Sequence, residues 1–328
     1  MSESRRVPFF NYPALFTSHE DDYMEVMRGV LRRGAYIRQA ECASLEANVA
    51  KFLGVKHAIG VANCTDGLTL ALLCAGVKPG DEVIFPSHTF VATASAIHII
   101  GAVPVPADIG PDHLIDPDSI EAAITPKTTC IMPVQLNGRT ADMDRIMDIA
   151  ERHGLMVVED AAQSLGATFR GKRAGSFGRA AAYSFYPAKV LGAFGDAGLV
   201  VTDDDAIAQQ VRQMADHGRS ETGEVEFWGM NSRLDNLHAA VLDYQFGFYE
   251  QTMARRRELA GMYQDGLGDV KQLLLPPGPT TEGDRYDIYQ NYEIESDRRD
   301  ELKAYLGDNG VGTAIQWAGK AVHQMKAL

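Results

Sequence analysis

Residues 181–202 read AAYSFYPAKVLGAFGDAGLVVT. Two apolar runs, AAYSFY (181–186) and GLVVT (198–202), flank a Gly-rich loop with no room for a full helical crossover. Parallel neighbours need such a crossover, so this pair is expected to run antiparallel inside a mixed sheet. Upstream the pattern differs. LMVVED (155–160) and TCIMPV (129–134) are short continuous apolar runs of buried-strand type, and HAIGVA (57–62), EVIF (82–85) and AVPVP (102–106) are further strand candidates. Helical stretches lie between them. Residues 42–56 place Leu45, Val49, Phe52 and Leu53 at helical spacing before Gly54. LTLALLCAG follows the turn 63–67, another helix covers 91–100, and one opens after Asp116-Pro117. Asp142 to His153 is amphipathic and Gly154 ends it. Strands alternating with helices imply an α/β fold with a mostly parallel sheet between helices.

From about residue 245 the chain reads as one long polar helix, then a Pro/Gly linker, PPGPTTEG (276–283). A β–α–β-like tail follows: YQNYEIES, DRRDELKAYLGDNG and VGTAIQW. A boundary near residue 245 divides the chain into a large domain, 1–245, and a smaller C-terminal α+β domain, 246–328.

The 328 residues are 45% hydrophobic and 23% charged, ordinary for a globular protein. A net charge of −13 argues against nucleic-acid binding, and the densest basic run, Arg255-Arg256-Arg257, reads as the solvated side of a helix. Cys42, Cys64, Cys74 and Cys130 form no CxxC pair; reduced thiols and no metal site are expected. MSESRRVPFFNYP lacks the apolar core of a signal peptide, and no apolar run approaches a membrane span, so a cytoplasmic location is expected.

Lys189 follows an apolar strand and is surrounded by small residues that leave room for a flat cofactor. Desolvation there lowers an amine's pKa and makes it nucleophilic. Asp160 closes a strand, at the carboxyl edge where open α/β sheets hold their ligands; it reads equally as a cap on the following segment. Pyridoxal 5′-phosphate (PLP) needs a carboxylate at its pyridine nitrogen and a lysine at its aldehyde, so Asp160, Gln163 and Lys189 are informative together. Thr65, Asp66 and Gly67 lie between a strand and a helix start, a place for a phosphate or an ordinary N-cap. Ser184 offers a hydroxyl to the same phosphate or is a small strand residue; Phe90 stacks on a cofactor ring or belongs to the core.

Six stretches occur in order: GVANCTDGLTLAL, GDEVIFPSHTFVATASAI, VVEDAAQSLGA, YSFYPAKVLGAFGDAG, DHGR and GMNSRLDNLHAAVL. Together they resemble the DegT/StrS family of sugar aminotransferases, PLP enzymes of the aspartate-aminotransferase fold (fold type I), over roughly residues 10–315. The resemblance implies that Lys189 holds PLP covalently, Asp160 pairs with the pyridine nitrogen, Gln163 contacts the ring hydroxyl and Phe90 stacks on the ring. It places Thr65, Asp66 and Ser184 at the phosphate, with Asn231 reaching it from the other subunit of a homodimer with shared active sites. L-glutamate would convert PLP to pyridoxamine 5′-phosphate and leave as 2-oxoglutarate, and a nucleotide-linked keto-6-deoxysugar would then be aminated. Lys189 argues against the dehydrating branch that carries histidine there. A PLP-binding regulator without turnover, or a PLP lyase acting on an amino acid, are the competing readings; the lyase calls for an arginine clamp, and Arg298 and Arg299 look solvent-facing.

The chain departs from the family pattern in three places. The loop after Lys189 reads GDAG, residues 289–292 read Tyr-Gln-Asn-Tyr where a histidine is common, and Gln316 to Lys320 replaces HYPxPxH. The last two regions tend to line the substrate pocket. The chain also ends at Leu328, which implies a small domain shorter than in typical members.

Overall fold

A computed structural model describes residues 6–280 and 283–327; residues 1–5 of the N-terminal stretch, Thr281 and Glu282 of the Pro/Gly linker, and Leu328 lie outside the described residues. The strands are β1 (His57–Val61), β2 (Glu82–Pro86), β3 (Val103–Ala107), β4 (Thr128–Ile131), β5 (Met156–Asp160), β6 (Thr168–Phe169), β7 (Lys172–Arg173), β8 (Ala180–Ser184), β9 (Gly198–Thr202) and β10 (Arg285–Tyr286). Seven form one sheet in the order β1-β9-β8-β5-β4-β2-β3, and β10-β6-β7 form a small second sheet. Within the large sheet β9 pairs antiparallel with both β1 and β8, and every other pairing is parallel. The short loop after residue 186 therefore does what its length requires: it turns the chain back on its neighbour.

Successive strand residues face opposite layers. In β8, Ala180 and Ala182 join one apolar cluster, with the helices Cys64–Ala75, Val91–Ile99 and Asp205–Met214, while Ala181 and Tyr183 join another, with the helices Ala40–Leu53 and Asn236–Phe246. In β5, Val158 faces the first cluster and Val157 a third, built on the helix Met143–His153. Both sheet faces are covered, which explains why these strands read as unbroken apolar runs. Helix ends follow local signals. Gly54 and Gly154 take left-handed C-caps, and the Asp116 and Asp142 side chains cap their helices by accepting backbone N–H bonds. Among the described residues no helix is long and apolar enough to cross a membrane. All four cysteines are buried and unpaired.

Several expectations need correction. Residues 64–67 are not a turn: the helix begins at Cys64, with Asn63 as cap. The run 129–134 is a strand only as far as Ile131, because the chain leaves β4 for the turn around Leu136–Gly138. The tail keeps its helix, Arg299–Asp308, but YQNYEIES and VGTAIQW form no sheet; isolated bridges, Leu274 to Glu295 and Val7 to Val311, replace it. Arg256 and Arg257 do not face solvent. Arg256 donates to the carbonyls of Tyr289 and Gln290, and Arg257 donates to those of Asp287 and Thr280 while lying 3.9 Å over the Tyr286 ring. A triplet of like charges misled because two of its members tie the tail to the long helix Tyr249–Leu267.

Glu159, the neighbour of Asp160, is fully buried and organises the entry to β8. Its carboxylate accepts N–H bonds from Gly175 (2.7 Å), Phe177 (2.7 Å) and Gly178 (2.9 Å), and from Gln135 Nε2 (2.8 Å). Burial pushes its pKa up; the four donors oppose that. Glu159→Ala would leave one buried and two half-buried backbone N–H groups without this acceptor and is expected to lower unfolding stability by about 3 kcal/mol in denaturant titrations. A loss under about 1 kcal/mol would show that the turn does not depend on this carboxylate.

Candidate active site

The sheet brings two sequence candidates to one edge. Asp160 ends β5 and stands opposite Ala182 of the parallel neighbour β8; Lys189 lies in the loop that leaves β8. Asp160 is buried. Its Oδ2 accepts from Thr93 Oγ1 at 2.7 Å and its Oδ1 from the Ala162 N–H at 3.1 Å. Thr93 is itself 2.8 Å from Thr89 Oγ1, so two hydroxyls from the start of the helix Val91–Ile99 orient the carboxylate. Burial raises the Asp160 pKa, against the Thr93 and Ala162 bonds and the Lys189 charge. Burial lowers the Lys189 pKa, with Cys64 and Asp160 opposing it. The amine and the carboxylate thus act on each other across one desolvated space.

Gln163 offers its Oε1 to the Asn137 N–H at 2.8 Å, leaving its NH₂ to donate elsewhere. Thr65 and Asp66 occupy the first turn of the helix Cys64–Ala75, where the Asn63 side chain accepts from the Asp66 N–H at 2.9 Å. Strand β9 starts hard against this turn: a Cβ on Gly198 would come within 2.6 Å of the Asn63 carbonyl carbon. Gly198 is also the register partner of Ser184, so one glycine brings Ser184 and the helix N-terminus together. Ser184 Oγ accepts from the Tyr186 N–H at 3.3 Å. Phe90 is not core: it is 55% exposed, just before the helix Val91–Ile99. Asn231 is exposed and sits in a bridge to Asp216, and among the described residues no hydrogen bond joins it to this group. Arg298 and Arg299 pair with Glu301 and Asp300 on an exposed helix and form no clamp.

Residues beyond the sequence candidates complete the site. Gln290, in one of the divergent stretches, is buried. Its Oε1 accepts from the Val190 N–H at 3.0 Å and its Nε2 donates to the Ala188 carbonyl at 2.8 Å, gripping the backbone on both sides of Lys189. Asn137, with a left-handed φ of 55°, ties the tail to the other flank. Its Nδ2 donates to Glu293, its Oδ1 accepts from Asn291 (3.0 Å) and Gln316 (2.9 Å), and its carbonyl accepts from the Gln290 N–H (3.0 Å). Burial works against a charge on Glu293, yet His113, His88 and Asn137 hold its pKa down at about 2. Nothing local in the sequence marks Thr93, Asn137 or Gln290; only the departure at 290 from the family pattern drew attention to that region.

If the Gln290 carboxamide holds the Lys189 loop, Gln290→Ala should speed amide hydrogen exchange at Val190 about fivefold, the value of one lost bond of about 1 kcal/mol. Unchanged exchange would show that the loop is held by other contacts.

The fold is shared with known proteins. Against a dTDP-3-amino-3,4,6-trideoxy-alpha-D-glucose transaminase of Streptomyces venezuelae the chain is 40% identical over 317 residues, 96% of this chain and 83% of the relative. Against a UDP-2-acetamido-2-deoxy-3-oxo-D-glucuronate aminotransferase of Pseudomonas aeruginosa it is 42% identical over 289 residues, 88% of this chain and 79% of the relative. The crystal structure of S. venezuelae DesV in complex with a ketimine intermediate superposes with a TM-score of 0.94 at 39% identity, covering 98% of this chain and 86% of that one. The family model matches residues 17–328, and the chain belongs to the DegT/DnrJ/EryC1/StrS aminotransferase family.

Proposed function

We propose that this protein is a PLP-dependent aminotransferase that places an amino group on a nucleotide-linked keto-6-deoxysugar, taking the nitrogen from L-glutamate. The observation that carries the reading is the desolvated pair of Lys189 and Asp160 at the carboxyl edge of β5 and β8. The donor set fits the cofactor: an amine whose pKa burial lowers, a carboxylate fixed by Thr93, an exposed aromatic ring at Phe90 and a helix N-terminus at Thr65 and Asp66. Bound there, PLP supplies an electron sink for the carbon that bears the migrating nitrogen.

The protein's own groups do the rest. Lys189 Nζ would hold the cofactor at its aldehyde, and the same amine would carry the proton that the substrate carbon gives up. Burial favours this by leaving the amine less basic than an exposed lysine. Asp160 would hold the pyridine nitrogen and favour its protonated form; the Thr93 hydroxyl fixes the carboxylate by donating to Oδ2. Gln163 donates its free NH₂ to the ring hydroxyl, and Phe90 covers one ring face. Thr65, Asp66 and Ser184 receive the phosphate at the positive end of a helix. Asn231, exposed on this chain, reaches the phosphate of a second copy, which makes the enzyme a homodimer with two shared sites. The cytoplasm, where nucleotide sugars and glutamate meet, suits this chemistry.

Two relatives bear regulatory names, a pleiotropic regulatory protein of Geobacillus stearothermophilus and an erythromycin biosynthesis sensory transduction protein of Saccharopolyspora erythraea. Turnover separates the two roles. Protein loaded with PLP and mixed with L-glutamate should release 2-oxoglutarate and lose the absorbance of the lysine-linked cofactor. A cofactor that binds and stays inert would sink the aminotransferase reading. Lys189→Ala should fold, lack that absorbance and lose at least about 10³-fold in rate; an unchanged spectrum would refute the assignment. Asp160→Asn should keep the linkage but cost about 10²-fold or more in kcat, while an effect confined to KM would remove the charge at this position from the chemistry.

A further inference from the structure

A second cluster lies where the tail crosses the loop after β2. His88 Nε2 is 3.7 Å from Glu293 Oε1, and His113 Nδ1 is 3.3 Å from Glu293 Oε2. One ligating atom from each of the three residues lies within 4.8 Å of the others. All three side chains are half-buried. Among the described residues, His88 Nε2 is buried with no hydrogen-bond partner; 3.7 Å is too long for one.

The surroundings orient these atoms. His113 Nε2 is 2.8 Å from Glu295 Oε1, and when a cation displaces the Nδ1 proton this contact keeps the remaining proton on Nε2 and leaves Nδ1 free to ligate. A carboxylate behind an imidazole is the arrangement that fixes the tautomer of a metal-bound histidine. Glu293 Oε2 is steadied by Asn137 Nδ2 and, at 3.2 Å, by Gln316 Nε2. The His88 ring packs edge-on against Trp317, with centroids 4.7 Å apart.

We propose that His88, His113 and Glu293 form a binding site for a divalent first-row transition ion of the zinc type, through His88 Nε2, His113 Nδ1 and a Glu293 oxygen. Two imidazoles and one carboxylate suit Zn²⁺, Ni²⁺ or Co²⁺ and are poor in oxygen for Ca²⁺ or Mg²⁺. Bonds of about 2.0–2.2 Å in tetrahedral geometry set ligand atoms roughly 3.3–3.6 Å apart. The two Glu293 oxygens stand 3.7 Å from His88 Nε2 and 3.3 Å from His113 Nδ1, and the three ligand atoms lie within 4.8 Å of one another, so small side-chain shifts would close the site. A plain ion pair accounts for His113 but leaves the buried His88 nitrogen near Glu293 without a hydrogen bond; a cation gives it a partner. Three protein ligands leave a fourth position for water or a substrate oxygen. The ion would link the loop that carries Phe90, the segment around His113 and the tail at Glu293. It would thus brace one wall of the active site, and its binding does not depend on the transamination reading.

The test is calorimetric titration of Zn²⁺ into chelator-stripped full-length protein, with Co²⁺ as a spectroscopic probe. One ion per chain is expected, with binding abolished by His88→Ala and by His113→Ala and weakened roughly 10- to 100-fold by Glu295→Gln. No saturable binding of one ion per chain, or binding untouched by both histidine substitutions, would overturn the proposal. Should those variants fail to fold, X-ray absorption at the cobalt edge of the wild-type complex decides: two imidazole nitrogens in the coordination shell support the site, and one or none refutes it.

Discussion

A buried acid, Asp160, and a half-buried amine, Lys189, are held near each other, and much of the molecule serves to make that tolerable. Burial alone drives a carboxylate and an amine toward neutrality, from opposite directions. Mutual attraction, the Thr93 hydroxyl and one backbone N–H offset part of that cost. Two groups so poised keep their geometry only if their backbones are rigid. Adjacent parallel strands provide this, since β5 and β8 are covered on both faces and their carboxyl ends lie side by side.

The same strand carries a second buried acid with the opposite task. Glu159 points away from Asp160 and spends its oxygens on three backbone N–H groups and one amide. Its bonds hold the turn that feeds β8, and therefore the strand from which Lys189 departs. Strand alternation thus separates a structural carboxylate from a chemical one within two consecutive residues.

The tail is attached differently from the sheet. Its helix Arg299–Asp308 buries no residue fully, and the segment 287–293 is held mainly by polar ties to Asn137, Arg256, Arg257 and the Lys189 loop. Polar ties are directional, so this segment sets positions precisely where an apolar contact would allow sliding. Asn137 makes four such ties from a left-handed backbone, a conformation asparagine tolerates better than most residues. Both flanks of the site, Gln163 and Lys189, are thereby joined to one stretch of chain.

Local order determined much of this protein before any coordinates. Apolar periodicity marked the sheet strands and most helices, Gly54 and Gly154 marked helix ends, and the short loop before β9 required an antiparallel return. Lys189 and Asp160 stood out as candidates for a related reason: Asp160 ends one apolar run and Lys189 lies in the loop that leaves another. What spacing cannot express is which distant side chains share hydrogen bonds. Gln290 gripping the Lys189 loop, Arg257 on Tyr286, Thr93 on Asp160, and His88 beside His113 and Glu293 join residues far apart in the chain. Packing of a helix on the sheet, for Thr93, and of the tail against the rest of the chain, for the others, decided those contacts, because a polar side chain's partner is chosen by three-dimensional proximity and not by its neighbours in sequence.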